Sequence, residues 1–410
     1  MEQMIVDSVT AAAAEPVVVA VEKSHSIADV ETLAERIIAA SPRCDLLLAT
    51  TLRNFQFGGS SSLIQALITW SKWNPDGCLL THIQEPGQVD VQLDNLSAED
   101  HGLVAILRAA DVRSRDRRLP LKRRAMDFAL QRLSRMRNGA QGAKAGANVL
   151  LLCADDTSYA HLPSLYHQDE DRSVKGVADI QKLASDILQA TIPYRKAEPF
   201  HATIQEYMGV ILYELFQNTD EWATKDLRGR RIRNSVRGIE SHLHRGYQKA
   251  LLGIIGESRV LGGYIGHERF SSVKQPRAFL ELSIFDSGPG LAQRRLRKSL
   301  DSGVTLQEEH QAVLGCLMKW ATTSSASHKG IGLHRVLETL TLAGGFLRLR
   351  TGRLSLQRDF VKWPYQGAYS GPDPGPEPFL LDWFTESAEL SQATCVEGTL
   401  LTMILPVRFR

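Results

Sequence analysis

Residues 279–290 read FLELSIFDSGPG, and this stretch decides how the second half of the chain is interpreted. The apolar run Phe279–Phe285 predicts a buried strand, and Asp286 follows it directly. An aspartate accepts hydrogen bonds from an exocyclic amine. Gly288 and Gly290 come next, and glycines let the backbone approach a ligand closely or adopt positive φ. The ordinary alternative is an Asp-Ser-Gly turn that binds no ligand. The stretch therefore indicates a ligand site only in combination with the other motifs of the sequence.

A long helix with one apolar face is predicted upstream of this strand, over His201–Thr224. It carries Glu214 and Asn218, which are four residues apart and therefore share one face of the helix. An amide oxygen is a ligand that Mg²⁺ accepts. A carboxylate one turn away can orient a water molecule or take its proton. For this pair taken alone, a solvated helix face is the alternative.

Two further glycine motifs lie downstream of the strand. Lys329-Gly330-Ile331-Gly332-Leu333 precedes a helix predicted over Leu333–Leu342. Glycines at a helix start leave N–H groups where phosphate binds, and the lysine adds a positive charge. Gly398-Thr399 opens the last predicted strand, Thr399–Leu405. Each motif by itself is equally typical of a helix start or a turn that holds no ligand.

The order of these four motifs resembles that of the GHKL ATPases, the family of gyrase B, MutL and the histidine kinases. The order is Glu-x-x-x-Asn on a helix, Asp-x-Gly-x-Gly after a strand, Gly-x-Gly-Leu before a helix, and Gly-Thr before a terminal strand. The resemblance covers residues 201–407, about half of the chain. It implies a GHKL-type α/β sandwich, in which a mixed sheet has helices on one face, and it implies ATP and Mg²⁺ as ligands.

The resemblance also implies roles for individual residues. Glu214 is expected to be the general base, Asn218 to hold Mg²⁺, and Asp286 to bind the adenine amine. The segment 291–329 is expected to be a mobile lid over the nucleotide. The base pocket and the phosphate site are expected to be lined by Gly288, Gly290, Lys329, Gly330, Gly332, Leu333 and Thr399.

The first half of the chain predicts a smaller α/β domain over residues 26–160, after an irregular N-terminus of residues 1–25. Helices are predicted from Ser26 and after Gly58–Ser62, alternating with apolar runs that predict strands. Residues 161–200 are interpreted as a helical linker. The layout, without a shared motif, resembles the small STAS-like domains that partner serine kinases. The apolar runs are Leu46–Thr51, Leu79–Ile83, Val89–Leu93 and Val149–Cys153.

Two features of this half have both a functional and a structural interpretation. Gly58–Ser62 suits an anion at a helix start, but serines there are more often N-caps, and we favour the cap. The stretch Arg113–Arg137 holds ten Lys or Arg and two Asp. We favour a solvated basic helix over nucleic-acid binding, because the stretch has few aromatic residues for base stacking. The residues that suit nucleic-acid phosphates are Arg117, Arg118, Lys122, Arg123 and Arg124.

Composition points to an ordinary globular protein. The 410 residues have a formal net charge of +2 and 43% hydrophobic side chains, which indicates no strongly charged partner. The five cysteines form no C-x-x-C pair, which favours a reducing compartment. No apolar run approaches the ~18 residues of a membrane span, and the N-terminus lacks the positive charge of a signal peptide. We therefore expect a cytoplasmic protein that does not enter a membrane.

The motifs favour an ATP-dependent conformational switch that hydrolyses ATP slowly. Ordering of the lid is expected to promote a homodimer or the binding of a protein partner. Two alternatives stay open: a regulatory module that binds nucleotide without turnover, and a protein kinase acting on a partner's serine or histidine. His161 and His167 are not favoured as phosphoacceptors, because Pro163 argues against a helix around them.

Overall fold

The structure is a computed structural model that describes residues 15–21, 26–52, 57–145, 148–192, 198–270, 275–317, 332–366 and 379–407. The side chains of residues 145 and 198–202 are outside this description. The helices are α1 Ile27–Ala40, α2 Gly59–Trp73, α3 Val89–Ala98, α4 Asp100–Arg108, α5 Lys122–Met136, α6 Val177–Thr191, α7 Glu198–Ala223, α8 Gln248–Leu252, α9 Arg259–Gly266, α10 Leu291–Leu296, α11 Leu306–Leu317 and α12 Gly332–Ala343.

Two sheets organise the chain. A four-stranded parallel sheet has the order β1-β2-β3-β4, and an eight-stranded sheet has the order β11-β10-β9-β12-β8-β7-β6-β5. Every strand pair described in the larger sheet is antiparallel. The strands are β1 Val17–Ala20, β2 Cys44–Leu48, β3 Cys78–Thr81, β4 Asp111–Ser114, β5 Lys144–Ala145, β6 Asn148–Ala154, β7 Val236–Gly246, β8 Arg277–Asp286, β9 Phe346–Gly352, β10 Leu354–Asp359, β11 Leu381–Asp382 and β12 Val396–Val407.

Strand β8 lies at the centre of the larger sheet, and all ten of its residues are buried. It pairs with β7 on one side and with β12 on the other. Successive side chains of a strand point to opposite faces of the sheet. Leu282 and Ile284 therefore belong to one face, which we call the apolar face. Glu281 and Ser283 belong to the other, which we call the polar face.

The apolar face is covered by the three helices α6, α7 and α12. Helix α7 packs against α6 and α12, and all three contact strands of the larger sheet. Ile239, Leu282 and Met403 on this face are at most 1% exposed. Because removal of apolar surface from water is the main favourable term in folding, this packing is the principal core of the sheet.

The polar face is covered by α2, which comes from the first half of the chain. Its Ser60 hydroxyl donates to Glu240 at 2.6 Å, and its Ser61 hydroxyl accepts from Ser283 at 3.0 Å. At the other end of α2, the indole nitrogen of Trp70 donates to the carbonyl of Cys44 in β2 at 2.8 Å. Helix α2 therefore lies between the two sheets, which explains why its residues 59–71 are buried on every side.

The start of α2 corrects the expectation for Gly58–Ser62. The helix has no side-chain N-cap. Its serines bond to the polar face, and the Gly58 N–H donates to Glu281 Oε2 at 2.8 Å. A helix N-terminus favours negative charge, and here the protein's own carboxylate meets that preference. Burial raises the pKa of Glu281, but His244 and the Gly58 N–H outweigh this and lower it. The stretch is neither a cap nor an anion site.

Most predicted elements of the second half are present, and several differences have physical causes. The sheet expected to be mixed is antiparallel, and helices cover both of its faces, because the polar face carries charges that also need partners. The run Val89–Leu93 forms α3 instead of a strand. Val149–Cys153 is a strand, but it pairs with β7, so the larger sheet begins well before residue 201. Helix α6, within the expected linker, packs on α7.

We expect Glu31→Ala to destabilise the fold strongly. Glu31 of α1 is 12% exposed and lies between Arg348 at 3.1 Å and Arg350 at 2.8 Å, both on β9. Burial raises the pKa of Glu31, but the two guanidinium groups outweigh this and lower it. Removing the carboxylate leaves two buried cations without it, a change that costs about 3–5 kcal/mol. Urea unfolding measures the loss, with Glu35→Ala on the exposed side of α1 as the control. Equal stability of the two variants would contradict this account of the interface.

Candidate functional site

A cavity of about 200 Å³ opens at the end of the sheet where β8 finishes, beside α7. It is bounded by the C-terminal half of α7, the turn after β8, the start of α12 and the start of β12. Residues from all four of the sequence motifs therefore line the same cavity. The predicted residues that line it are Glu214, Asn218, Asp286, Gly288, Gly290, Gly332, Leu333 and Thr399. Lys329 and Gly330 lie outside the described residues.

Asp286 is the buried acceptor of this cavity. It ends β8 on the apolar face and is 7% exposed. Its Oδ1 accepts from the backbone N–H of Gly288 at 2.8 Å. Burial raises the pKa of Asp286 from 3.8 to about 6, although this bond, Thr399 and Arg294 act in the opposite direction. A carboxyl group with this pKa changes its protonation near neutral pH and can accept hydrogen bonds from a ligand when ionised.

Gly398 fixes how β12 approaches this aspartate. Its φ is +76°, and a Cβ atom there would lie 1.8 Å from the carbonyl oxygen of Asp286. The Thr351 hydroxyl donates to the Gly398 carbonyl at 3.1 Å and holds the loop against β9. Only a residue without a side chain fits this contact. The Gly-Thr motif is therefore needed for the close approach of β12 to Asp286, independently of any ligand.

Glu214 lies at the opposite wall and is held by α12. Its Oε1 accepts from the guanidinium of Arg335 at 2.7 Å. A Cβ atom on Gly332 would lie 2.8 Å from Glu214 Oε2, so the absence of a side chain lets α12 begin close to this carboxylate. Burial raises the pKa of Glu214, and Arg335 opposes that change without cancelling it. The carboxylate borders the cavity but is partly engaged by an ion pair.

Three arginines near the cavity were not identified from the sequence. Arg294 and Arg295 of α10 line it, and Arg335 reaches it through Glu214. Arg294 donates to the carbonyl of Asp226 at 3.0 Å and also to the carbonyls of Trp222 and Lys225. It thus supports the C-terminal end of α7, where a cation is favourable. The sequence gives one indication of these arginines, which is that they follow the glycine motifs at Gly290 and Gly332 by three to five residues.

A second basic stretch of the sequence, Lys225–Arg237, follows α7 and contributes no residue to the lining of the cavity. Arg237 is 2% exposed and pairs with Asp155, while its Nε donates to the Tyr166 hydroxyl at 2.8 Å. That hydroxyl donates to Asp220 at 2.7 Å. Asp220 is therefore part of the hydrogen-bonded network of Arg237 and Tyr166 at the end of α7.

The segment expected to be a lid is helical in its described part, residues 291–317. It forms α10 and α11, which pack on each other. Glu309 of α11 is fully buried and accepts from the backbone N–H of Arg353 at 2.8 Å and from its Nε at 2.7 Å. These bonds attach α11 to the β9–β10 turn. The rest of the expected lid, residues 318–329, lies outside the described residues.

The basic stretch Arg113–Arg137 is engaged in contacts within the protein. Lys122 Nζ donates to the carbonyls of Ile106 and Ala109, at 2.8 and 2.7 Å, and so caps the end of α4. Arg117 pairs with Asp45 at 2.6 Å, and Arg124 pairs with Asp90. Three of the five candidate phosphate contacts, Arg117, Lys122 and Arg124, are therefore engaged within the protein.

Comparisons of the chain with protein-family models, with curated proteins and with solved structures find no match. Among the described residues, no helix combines the length and apolar character that crossing a membrane requires. The functional interpretation therefore relies on the geometry of the cavity and on its motifs.

We expect Asp286→Asn to stabilise the protein above about pH 6. The folded-state pKa of Asp286, about 6, is higher than the 3.8 of an unperturbed aspartate. Its folding contribution is therefore fully present at low pH and is lost as the pH rises through about 6. Asparagine is neutral throughout, so the variant should gain up to about 3 kcal/mol over wild type near pH 7 and much less near pH 4. Urea unfolding at both pH values measures this. A difference that does not depend on pH would show that Asp286 ionises normally.

Proposed function

We propose that the chain binds ATP with Mg²⁺ in the cavity beside α7 and hydrolyses it slowly. What supports the proposal is that four motifs, distant in sequence and ordered as in the GHKL ATPases, line a single cavity with the carboxylate of Asp286 buried in its wall. Chance turns and helix starts would have no reason to converge on one space. The layer of α6, α7 and α12 on one face of the sheet corresponds to the helical layer that the resemblance implies, although this sheet is antiparallel and α2 covers its other face.

The adenine base is proposed to lie against Asp286. A buried carboxylate discriminates in favour of an exocyclic amine, because a ligand without that amine leaves the carboxylate unpaired. The wall beside it carries Leu291, Leu401 and Trp222, whose apolar surface suits the face of a purine. Thr399 is proposed to contact the same base through its hydroxyl.

The phosphates are proposed to extend toward Asn218, Glu214 and the start of α12. Asn218 provides the amide oxygen that would hold Mg²⁺, and the ion would supply charge stabilisation at the phosphates. Glu214 is proposed to orient the attacking water and to accept its proton. The N-terminus of α12, which begins at Gly332, favours an anion there.

Helices α10 and α11 are proposed to carry the nucleotide signal. Leu291 and Arg295 of α10 and Cys316 of α11 border the cavity, so a ligand that fills it contacts both helices. A shift of this pair would alter a surface available to a second copy of the chain or to another protein. The proposed protein is thus a switch in which slow hydrolysis sets the lifetime of the ATP-bound form.

A second function is favoured by the ion pair between Glu214 and Arg335. The bond from Arg335 to Glu214 Oε1 at 2.7 Å occupies one of the two carboxylate oxygens and makes Glu214 a poorer base than the same buried carboxylate without Arg335. A chain that retained this pair in the ATP complex would bind the nucleotide without turnover, as a regulatory module. Phosphate release measured over hours separates the two functions.

We expect Asp286→Ala to abolish or greatly weaken ATP binding. The variant leaves the adenine amine without its buried acceptor, which costs about 1–3 kcal/mol or a factor of about 10 to 100 in affinity. Calorimetric titration of ATP with Mg²⁺ measures the loss. Asp90→Ala, an exposed aspartate on α3, is the control and should bind as wild type does. If a folded Asp286→Ala protein keeps wild-type affinity, the adenine assignment is wrong.

We expect Glu214→Gln to keep ATP affinity nearly unchanged and to lower turnover by roughly 10²–10⁴-fold, the usual effect of losing a general base. Glutamine keeps the size of the side chain and can still accept from Arg335, so the wall of the cavity is preserved. Calorimetry gives the affinity, and phosphate release gives the rate. Wild type that releases no phosphate supports the binding-module function instead, and a variant as fast as wild type removes Glu214 from the mechanism.

A further inference from the structure

A second cluster of chemically capable side chains lies on the polar face, and none of its residues lines the cavity. It contains Asp100, the first residue of α4, with Glu240 and His242 on β7. One ligand atom from each of the three lies within 4.8 Å of the other two. The residues are 7%, 0% and 9% exposed, respectively. They come from the two halves of the chain and meet where α4 approaches the larger sheet.

Two atoms of this cluster are buried without a satisfactory partner. Glu240 Oε1 accepts from Ser60, but Glu240 Oε2 has no hydrogen bond among the described residues. His242 Nε2 lies 2.9 Å from Glu240 Oε1, but the orientation is not that of a hydrogen bond. An unpaired buried polar atom costs about 1–3 kcal/mol, and more for a charged group. In a native protein, such an atom indicates that a water molecule or an ion provides its missing partner.

The charges around the cluster leave room for a cation. Arg132 of α5 pairs with Asp100 and also donates to the Ser97 carbonyl at 2.9 Å, so the charge of Asp100 is balanced and its position is held. Glu240 faces the imidazole of His242. Among the described residues no lysine or arginine pairs with Glu240, so a cation held by Glu240 and His242 would meet a buried carboxylate that has no such partner.

We infer that Asp100, Glu240 and His242 bind one divalent transition-metal cation that joins α4 to β7. Two carboxylates and one imidazole suit Mn²⁺, Fe²⁺ or Zn²⁺, whereas Mg²⁺ and Ca²⁺ prefer oxygen ligands alone. The ion satisfies Glu240 Oε2 and His242 Nε2 together. Arg132 orients Asp100 as an outer-shell partner. The site is structural, because the cluster is almost closed to solvent and lies on the face opposite the cavity.

Zinc binding by the full-length protein tests this inference without nucleotide, so the outcome is independent of the proposed ATP function. Wild type is stripped with a chelator, dialysed against Zn²⁺, and analysed for bound metal. We expect one equivalent in wild type. Removing a ligand should lower the affinity by at least about 10-fold, since even outer-shell changes cost about 10–100-fold. The test variants are Glu240→Gln and His242→Gln.

The neighbouring ion pair offers a matched control. His244 of β7 and Glu281 of β8 lie 2.9 Å apart on the same face of the sheet, and neither belongs to the cluster. His244→Gln should therefore keep wild-type zinc affinity, even though it also removes a buried histidine. Wild type without stoichiometric zinc, or His242→Gln with unchanged zinc binding, would overturn the site.

Hydrogen exchange on wild type decides the question if the variants do not fold. Zinc should slow amide exchange in α4 and β7, the two elements that provide the ligands, and leave α12 unchanged. If zinc slows amide exchange only in other elements, the ion is held elsewhere. That result would overturn the site as clearly as the absence of zinc binding.

Discussion

The structure depends on one constraint, which is that the polar face of the larger sheet must be covered by side chains that match its charges. Glu240, Glu281, Arg348 and Arg350 are each at most 2% exposed. Burying such groups is costly unless they are paired and hydrogen-bonded. Serines of α2 and Glu31 of α1 provide the partners, so the first half of the chain is fitted specifically to the second.

This constraint separates the tasks of the two faces. On β8, Glu281 and Ser283 belong to the interface with α2, whereas Leu282 and Ile284 belong to the apolar core under α7. Asp286, at the end of the same strand, is the exception on the apolar side. Burial raises the pKa of Asp286, so its ionised form is costly in free energy unless a ligand donates a hydrogen bond to it.

The cavity is also a result of close backbone contacts between distant segments. Gly398 meets the carbonyl of Asp286, and Gly332 meets the carboxylate of Glu214. A methyl group at position 398 would clash with the backbone of β8, and one at position 332 would require the Glu214 carboxylate to move. Arg294 then fastens α10 to the end of α7. The same contacts that shape the candidate site therefore hold together the elements around it.

The sequence by itself determined the central elements and the residues that meet in the cavity. The apolar run Phe279–Phe285 predicted β8, helical spacing predicted α7 and α12, and the motif order selected Glu214, Asn218, Asp286 and Thr399 as neighbours, all of which line one space. These signals are local, because periodicity and glycine positions follow from the backbone of each segment. Pairing partners are not local. Only the tertiary structure decided that Val149–Cys153 joins the larger sheet and that the serines of α2 bond to its polar face. It also decided that Asp100 approaches Glu240 and His242. The reason is that a strand or a buried charge takes the partner that packing brings to it.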